Sequence, residues 1–199
     1  MKKIFILLFL TFSYSFSQIQ IMETKFEPHQ LLKNRIETWI QSLEQKNSSF
    51  AIKNLVKIGK IAYPQLQQHF PVATTTTKEA ILEILAQLKI EESVPLLIEC
   101  LKNQKETVAL RERAIEIIQN FPSKEVYQQL AECAFQRNIH LKASYALCRM
   151  DSKDAVPYLI ELLRHWDSEI IHRAYDMLLH ITEKKNMKMD YELWKLSEY

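Results

Sequence analysis

Two histidines and one aspartate near the end of the sequence have the spacing of metal ligands on a helix. His172, Asp176 and His180 follow one another at intervals of four positions, so a single helical face would carry all three side chains. A closed structural zinc site needs four ligands. The remaining histidines form no further cluster in the sequence: His29, His69, His140 and His165. An enzyme or metal-dependent protein using this face is therefore the alternative to a binding role, and we assign no metal-ligating residue.

The three cysteines are a second place where chemistry could occur. Cys100 and Cys133 occupy the same position of the repeat described below, and Cys148 occupies another position that is apolar in the other repeats. Cysteine at a core position behaves as a small hydrophobic residue, so we predict three buried free thiols. Equivalent residues of adjacent repeats stack, so a disulfide between Cys100 and Cys133 remains an alternative to free thiols. It requires that their Cα atoms lie within about 7 Å.

A third feature is a column of polar side chains, one in each repeat: Lys57, Gln87, Asn120, Arg149 and His180. Stacked repeats would align them as a ladder, which is either a solvated helix edge or a binding strip. The sequence contains no nucleophile motif, no HExxH motif and no dinucleotide fingerprint. We therefore predict no enzymatic activity, no catalytic residue and no cofactor.

Apolar side chains recur in register along the chain and indicate what must position these residues. Successive units recur with a period of roughly 30 residues, within the range typical of helical repeats. In the first helix of each unit, one column is Ala51, Ile81, Ala114, Ala143 and Ala174, and the next is Leu55, Leu85, Ile118, Leu147 and Leu178. In the second helices, the main column is Leu66, Leu97, Leu130 and Leu159. Neither helix can bury its apolar stripe alone, so stacking is required. The predicted fold is all-α, an α-solenoid of about five helical hairpins.

The repeat unit resembles a known family. Ala51-x-x-x-Leu55-x-x-Ile58-Gly59 with Pro64-x-Leu66 is similar to the short HEAT-like repeat of the bacterial bilin-lyase type. The resemblance implies an armadillo-like superhelix. It is specific for fold and not for function, since the same repeats occur in bilin lyases and in DNA alkyl-purine glycosylases. It also extends to the ending Ile181-Thr182, where Glu183 stands in the place of the family's glycine.

Residues 1–17 are predicted to be a signal peptide. Lys2 and Lys3 precede an apolar run over residues 4–12, and Ser17 offers a small residue for cleavage before Gln18. The run is too short to span a bilayer, which takes about 20 residues. We expect an exported protein, periplasmic or secreted, with no stable membrane insertion after cleavage.

Cleavage would also remove the net charge. Loss of Lys2 and Lys3 lowers the 26 basic residues to 24, which equals the 24 acidic residues. A neutral chain provides no general attraction for nucleic acid, so we predict no nucleic-acid partner.

The segments on either side of the repeats are predicted to be caps. Residues 27–46 form one amphipathic pattern without the repeat columns, and the tail carries Asp190 and Trp194. Terminal repeats are usually atypical and shield the open ends of the stack. We thus divide the chain into a signal peptide (1–17), an N-terminal extension and capping helix (18–47), a HEAT-like repeat domain (48–182) and a C-terminal cap (183–199).

Local signals predict several helix starts. Thr76 lies three positions before Glu79 in the arrangement of a capping box. Asn138 and Asp167 have side chains suited to N-capping the first helix of each of the last two repeats. Together these features predict an exported, non-catalytic scaffold that binds a protein partner. They leave the partner, its surface, the oligomeric state and the curvature open.

Overall fold

The structure is a computed structural model that describes residues 28–45, 48–184 and 187–197. The predicted signal peptide lies outside these residues. Within them the regular structure is helical, with eleven α-helices and no strand. In chain order these are α1 (Pro28–Ser42), α2 (Ser49–Ile58), α3 (Tyr63–His69), α4 (Thr75–Leu88), α5 (Val94–Lys102), α6 (Val108–Ile118), α7 (Lys124–Ala134), α8 (His140–Arg149), α9 (Val156–Leu162), α10 (Ser168–Thr182) and α11 (Tyr191–Leu196).

The helices stack in two layers. The first layer contains the first helix of each hairpin, and its neighbours α2, α4, α6, α8 and α10 contact one another in that order. In the second layer α5 contacts α7, α7 contacts α9 and α9 contacts α11. The tightest packing joins a second helix to the first helix of the next hairpin, as in α7 with α8. The predicted all-α solenoid is therefore confirmed.

The repeat columns form the core between the two layers. Both main columns of the first helices are buried from end to end, and so is the main column of the second helices. Pro64, Pro95 and Pro157 stand in the first turn of their helices, where a missing N–H leaves no bond unmade. Apolar burial at the columns thus sets which face of each helix points inward.

Two of the predicted helix starts are wrong and one is confirmed. Helix α4 is capped by Thr74, whose side chain accepts from the Thr77 N–H, so the cap lies two positions before Thr76. Asn138 caps nothing, because α8 follows Ile139 without a side-chain cap. Asp167 does cap α10, with its Oδ1 2.9 Å from the Glu169 nitrogen.

Helix α1 covers the open start of the stack. Its buried residues are Ile36 and Ile40, and the helix contacts both α2 and α3. Polar contacts add to this packing: Gln65 Nε2 donates to the Lys33 carbonyl at 3.0 Å, and His69 Nε2 lies 2.7 Å from Glu37 Oε1. Helix α1 contacts both helices of the hairpin that follows it, as the second helices of later hairpins do. It therefore extends the second layer by one helix.

The tail closes the opposite end in a similar way. Helix α11 contacts α9 and so takes the second-helix position of the fifth hairpin. Trp194 is fully buried, and its Nε1 donates to the Lys188 carbonyl at 2.9 Å. Asp190 caps α11 through the Leu193 N–H. The connection from Glu183 to Asp190 is longer than in the other hairpins. It moves α11 out of the repeat period, so the spacing of apolar residues in the sequence does not identify this helix as part of a repeat.

Left-handed residues end three of the first helices. Gly59 has a φ of 74° after α2, Lys89 a φ of 49° after α4 and Glu183 a φ of 58° after α10. A left-handed residue after a helix satisfies its last carbonyl groups and is usually glycine. Lys89 stands at the position of Gly59 in the next repeat. The turns differ all the same: Lys89 and Glu183 have ψ values of 48° and 14°, in the left-handed helical region, whereas Gly59 has a ψ of −145°.

A buried arginine lies between the second and third hairpins. Arg111 is 1% exposed, and its Nε donates to the Leu101 carbonyl at the end of α5, 3.0 Å away. Its Nη2 donates to Gln136 Oε1. A cation at a helix C-terminus is favoured by the helix dipole. A second buried cation, Lys78, has its Nζ 2.6 Å from Glu106 Oε1, with both side chains only 11% exposed.

Replacing Arg111 with methionine should lower the free energy of unfolding by about 1–3 kcal/mol, because the Leu101 carbonyl and the Gln136 amide lose a buried partner. Arg113→Met is the matched control: Arg113 pairs with Glu83 and Glu116 at 39% side-chain exposure, and exposed pairs contribute about 0–1 kcal/mol. The measurement is the denaturation midpoint in urea. Equal midpoints for the two variants would contradict the structural role of Arg111.

No helix in the described ranges is both long and apolar enough to cross a bilayer.

Candidate functional site

The predicted histidine face lies on α10 but does not assemble a ligand set. His172, Asp176 and His180 are all exposed. His172 Nδ1 lies 2.6 Å from the Ser168 carbonyl oxygen, one turn earlier, and His180 Nε2 lies 3.6 Å from Asp151 Oδ2. Across the part of the chain that the structure describes, no group of three histidine, cysteine or acidic side chains is placed to hold a metal ion.

The cysteines are buried and free. Cys100, Cys133 and Cys148 all have unpaired thiols. Burial raises the pKa of Cys100 to about 12 and that of Cys148 to about 11, and it raises the pKa of Cys133 as well. The thiolate is the nucleophilic form, so at neutral pH these thiols remain protonated and act as core residues.

The polar ladder lies on the outer surface of the first layer. All five of its side chains are exposed: Lys57, Gln87, Asn120, Arg149 and His180. Every member carries a hydrogen-bond donor and none is acidic. The position that the sequence singled out is therefore accessible in each hairpin.

Two grooves flank α8 in the first layer. The groove between α8 and α10 has a volume of about 330 Å³, and its lining includes Cys148, Arg149, Asp176 and Met177. The groove between α6 and α8 has a volume of about 440 Å³, and its lining includes Lys142 and Arg149. Tyr145 lies between them and lines both. The ladder position on α8 is thus the meeting point of the two grooves.

One wall of the α8–α10 groove is held by a small network. Tyr145 Oη donates to Glu169 Oε1 at 2.6 Å, and Arg173 Nη2 donates to the same oxygen at 3.0 Å. The Arg173 guanidinium also lies over the Tyr145 ring, 4.2 Å from its centroid. The Tyr145 and Arg173 hydrogen bonds lower the pKa of Glu169. The carboxylate therefore compensates the charge of Arg173 and accepts a hydrogen bond that orients the tyrosine ring.

A chain of ion pairs bounds the α6–α8 groove and links three first helices. Arg113 on α6 contacts Glu83 on α4 at 2.6 Å and Glu116 at 2.8 Å. Lys142 on α8 contacts the other oxygen of Glu116 at 2.5 Å. These charges compensate one another, so they contribute little net charge to the groove.

Arg149 and Asp176 differ from these paired charges. Neither side chain has a hydrogen bond or an ion pair with any residue that the structure describes. In the α8–α10 groove they are an uncompensated cation and an uncompensated anion. The α6–α8 groove is lined by Arg149 but not by Asp176. Arg149 is thus the cation that is open to a ligand from both sides of α8.

The Glu116 bridge makes a pH-dependent contribution to stability. Its hydrogen bond from Lys142, followed by that from Arg113, lowers the pKa of Glu116. A carboxyl with a lowered folded-state pKa stabilises the protein above its unfolded value of about 4.3 and loses this effect as the pH falls through the folded pKa.

We expect Lys142→Met to raise the Glu116 titration midpoint in a carboxyl NMR titration. The midpoint should move toward the ordinary value, because the largest stabilising hydrogen bond to the carboxylate is lost. An unchanged midpoint in Lys142→Met would show that the lysine does not hold the carboxylate.

A histidine–aromatic cluster was missed by the sequence reasoning, which found no further grouping of His140 and His165. Their rings stack with centroids 5.7 Å apart, and Trp166 packs on His165 at 4.0 Å. Phe135 joins at 5.3 Å from His165. His165 is 3% exposed, with Nε2 2.9 Å from the Ala134 carbonyl and Nδ1 accepting from the Asp167 N–H. It is a satisfied core histidine that ties two inter-hairpin turns together.

A spacing signal for this cluster was present in the sequence. Phe135 and Trp166 are separated by the same interval as Ala143 and Ala174 of the last two repeats, so both lie in equivalent turns. They are also 39% and 55% exposed. Their equivalence would have suggested an aromatic contact between neighbouring turns.

Comparison with known proteins agrees with the fold. Residues 77–103, which contain most of α4 and all of α5, match the family model described as PBS lyase HEAT-like repeat. No curated protein matches the chain. The remaining hairpins stack in the same two layers as the matched one. The match and the stacking together make the chain consistent with a HEAT-like repeat protein.

Proposed function

We propose that the protein is an exported, non-catalytic module that binds another protein through the first layer of its solenoid. HEAT-like repeats commonly mediate interactions between proteins. The observation that carries the proposal is the pair of adjacent grooves beside α8, with an exposed arginine that has no partner among the described residues. Repeat stacking produces extended surfaces of this kind, which suit a polypeptide better than a small molecule.

Export is supported by the N-terminal pattern of Lys2, Lys3 and the apolar run that follows. We expect the protein recovered from its native cells to begin at Gln18. Intact-mass analysis measures this directly, and a chain that retains Met1 would contradict export by a cleaved signal.

The binding role is tested with the mature chain immobilised and exposed to the envelope fraction of its native cells. We expect one protein to be retained in a saturable amount and to be released by excess untagged chain. The absence of a saturable partner would contradict the proposal. Stoichiometric zinc or copper that disappears in His172→Ala would instead support the metal-dependent alternative.

A further inference from the structure

We propose that the two grooves beside α8 bind an extended acidic segment of the partner, with one of its carboxylates on the Arg149 guanidinium. This inference rests on the proposed binding function and specifies the chemistry of the partner. Three features support an acidic segment: the charges of the grooves, the chemistry of the ladder and the spacing of the first-layer helices.

The charges of the grooves favour a carboxylate ligand. Arg173 is occupied by Glu169, and Lys142 by Glu116. Arg149 lines both grooves and has no partner among the described residues. A guanidinium presents parallel donors that match the two oxygens of a carboxylate, and such charge-assisted pairs are among the strong hydrogen bonds of proteins. The unmet hydrogen-bonding capacity of Arg149 is therefore that of a carboxylate receptor, with Asp176, unpaired within the described residues, beside it.

The rest of the ladder extends this preference along the stack. Gln87 and Asn120 precede Arg149 and His180 follows it, each exposed on its own first helix. None of these ladder side chains is itself negatively charged, so the ladder adds no charge that repels a negatively charged segment. Acidic side chains do lie beside it, since Gln87 donates to Glu83 and His180 pairs with Asp151. Met177, which is half-buried, adds apolar surface to the α8–α10 groove, and side chains between the acidic residues can cover it.

The spacing of the helices sets the form of the segment. Packed helices lie about 8–10 Å apart, so successive ladder positions are separated by about that distance. A polyproline II segment has three residues per turn and rises about 3.1 Å per residue, so it advances about 9 Å per turn. Every third side chain of such a segment points the same way. An acidic residue at every third position therefore meets the ladder once per hairpin.

Asp176 provides a charge of opposite sign in the same groove. It lines the α8–α10 groove beside Arg149 and has no ion pair with the described residues. It would repel a carboxylate bound at Arg149. Removing the two charges should therefore change the affinity for an acidic segment in opposite directions, which a purely structural role of either residue would not do.

The probe is a fluorescein-labelled peptide of about 15 residues that repeats Glu-Pro-Ser, which favours the polyproline II form. Its neutral counterpart repeats Gln-Pro-Ser. Fluorescence anisotropy with the mature protein gives the dissociation constant for each. We expect Arg149→Gln to weaken binding of the acidic peptide about tenfold or more, and Asp176→Asn to strengthen it about two- to fivefold. Lys124→Gln, on the second layer, removes the same single charge and should leave binding within about twofold.

Three results would overturn the inference: equal binding of the neutral peptide, no detectable binding of the acidic peptide, or equal weakening by Arg149→Gln and Lys124→Gln. Melting temperatures of the variants verify that each is folded. The envelope capture separates this failure from that of the proposed function. A saturable partner that Arg149→Gln still binds leaves the binding function in place and rejects the acidic segment, whereas failure to capture any partner rejects the function itself.

Discussion

Replacing Trp194 with alanine should lower the free energy of unfolding by about 3–5 kcal/mol, the usual cost of removing a buried aromatic side chain. Trp194 is fully buried, and its ring nitrogen is bonded to the Lys188 carbonyl. It anchors α11, a helix of only six residues that cannot hold itself together in water. Loss of the ring should therefore release the whole helix from α9.

The measurement is urea denaturation followed by far-UV circular dichroism, with Trp166→Ala as the matched control. Trp166 is 55% exposed but packs on His165 at 4.0 Å, so its removal should cost about 1–2 kcal/mol, less than that of Trp194. The Trp194→Ala protein should also self-associate in a concentration-dependent manner during gel filtration, because an uncovered repeat end is apolar. If Trp194→Ala leaves both the free energy of unfolding and the oligomeric state unchanged, α11 is not a closing helix.

Introducing aspartate at Leu147 should unfold the stack near neutral pH. Leu147 is fully buried in α8. An unpaired carboxylate at such a position costs several kcal/mol in addition to the lost packing. A domain of this size is stable by only about 5–15 kcal/mol, so the helices on either side of α8 should lose their packing as well.

Arg149→Asp is the control for this substitution, since Arg149 is exposed two positions later on the same helix. It adds the same side chain to the same helix, and we expect a melting temperature within a few degrees of the parent. Thermal melts of both variants are the measurement. An unchanged melting temperature for Leu147→Asp would mean that the assigned register of α8 is wrong.

The hairpin architecture was predictable because helical periodicity is strong wherever a helix buries one face. The columns through Ala143 and Leu147 are buried as predicted. Helix α11 was not assigned to the repeat because its long connection breaks the spacing, and only its packing on α9 shows the equivalence. Asn138 failed as a cap because side-chain type alone does not fix the turn that precedes a helix.

The candidate site was predictable only in part, because periodicity places a residue on a helix face but does not give its side-chain partners. Periodicity placed Arg149 correctly on an exposed ladder. It could not show that Arg173 and Lys142 are neutralised by Glu169 and Glu116, because the pairing of side chains depends on rotamers and on the lateral offset of the helices. The stacking of His140 on His165 likewise depends on the conformation of two turns, which hydrophobic patterns do not encode.

The layered packing has a consequence for how the chain folds. The helices that contact one another belong to the same or to neighbouring hairpins, so most contacts join residues that are close in sequence. Chains rich in such local contacts fold rapidly, in roughly microseconds to milliseconds, and a repeat stack can nucleate at any hairpin and grow outward. Amide hydrogen exchange should accordingly be slowest in α6 to α8 and fastest in α1 and α11, where each helix has neighbours on one side alone.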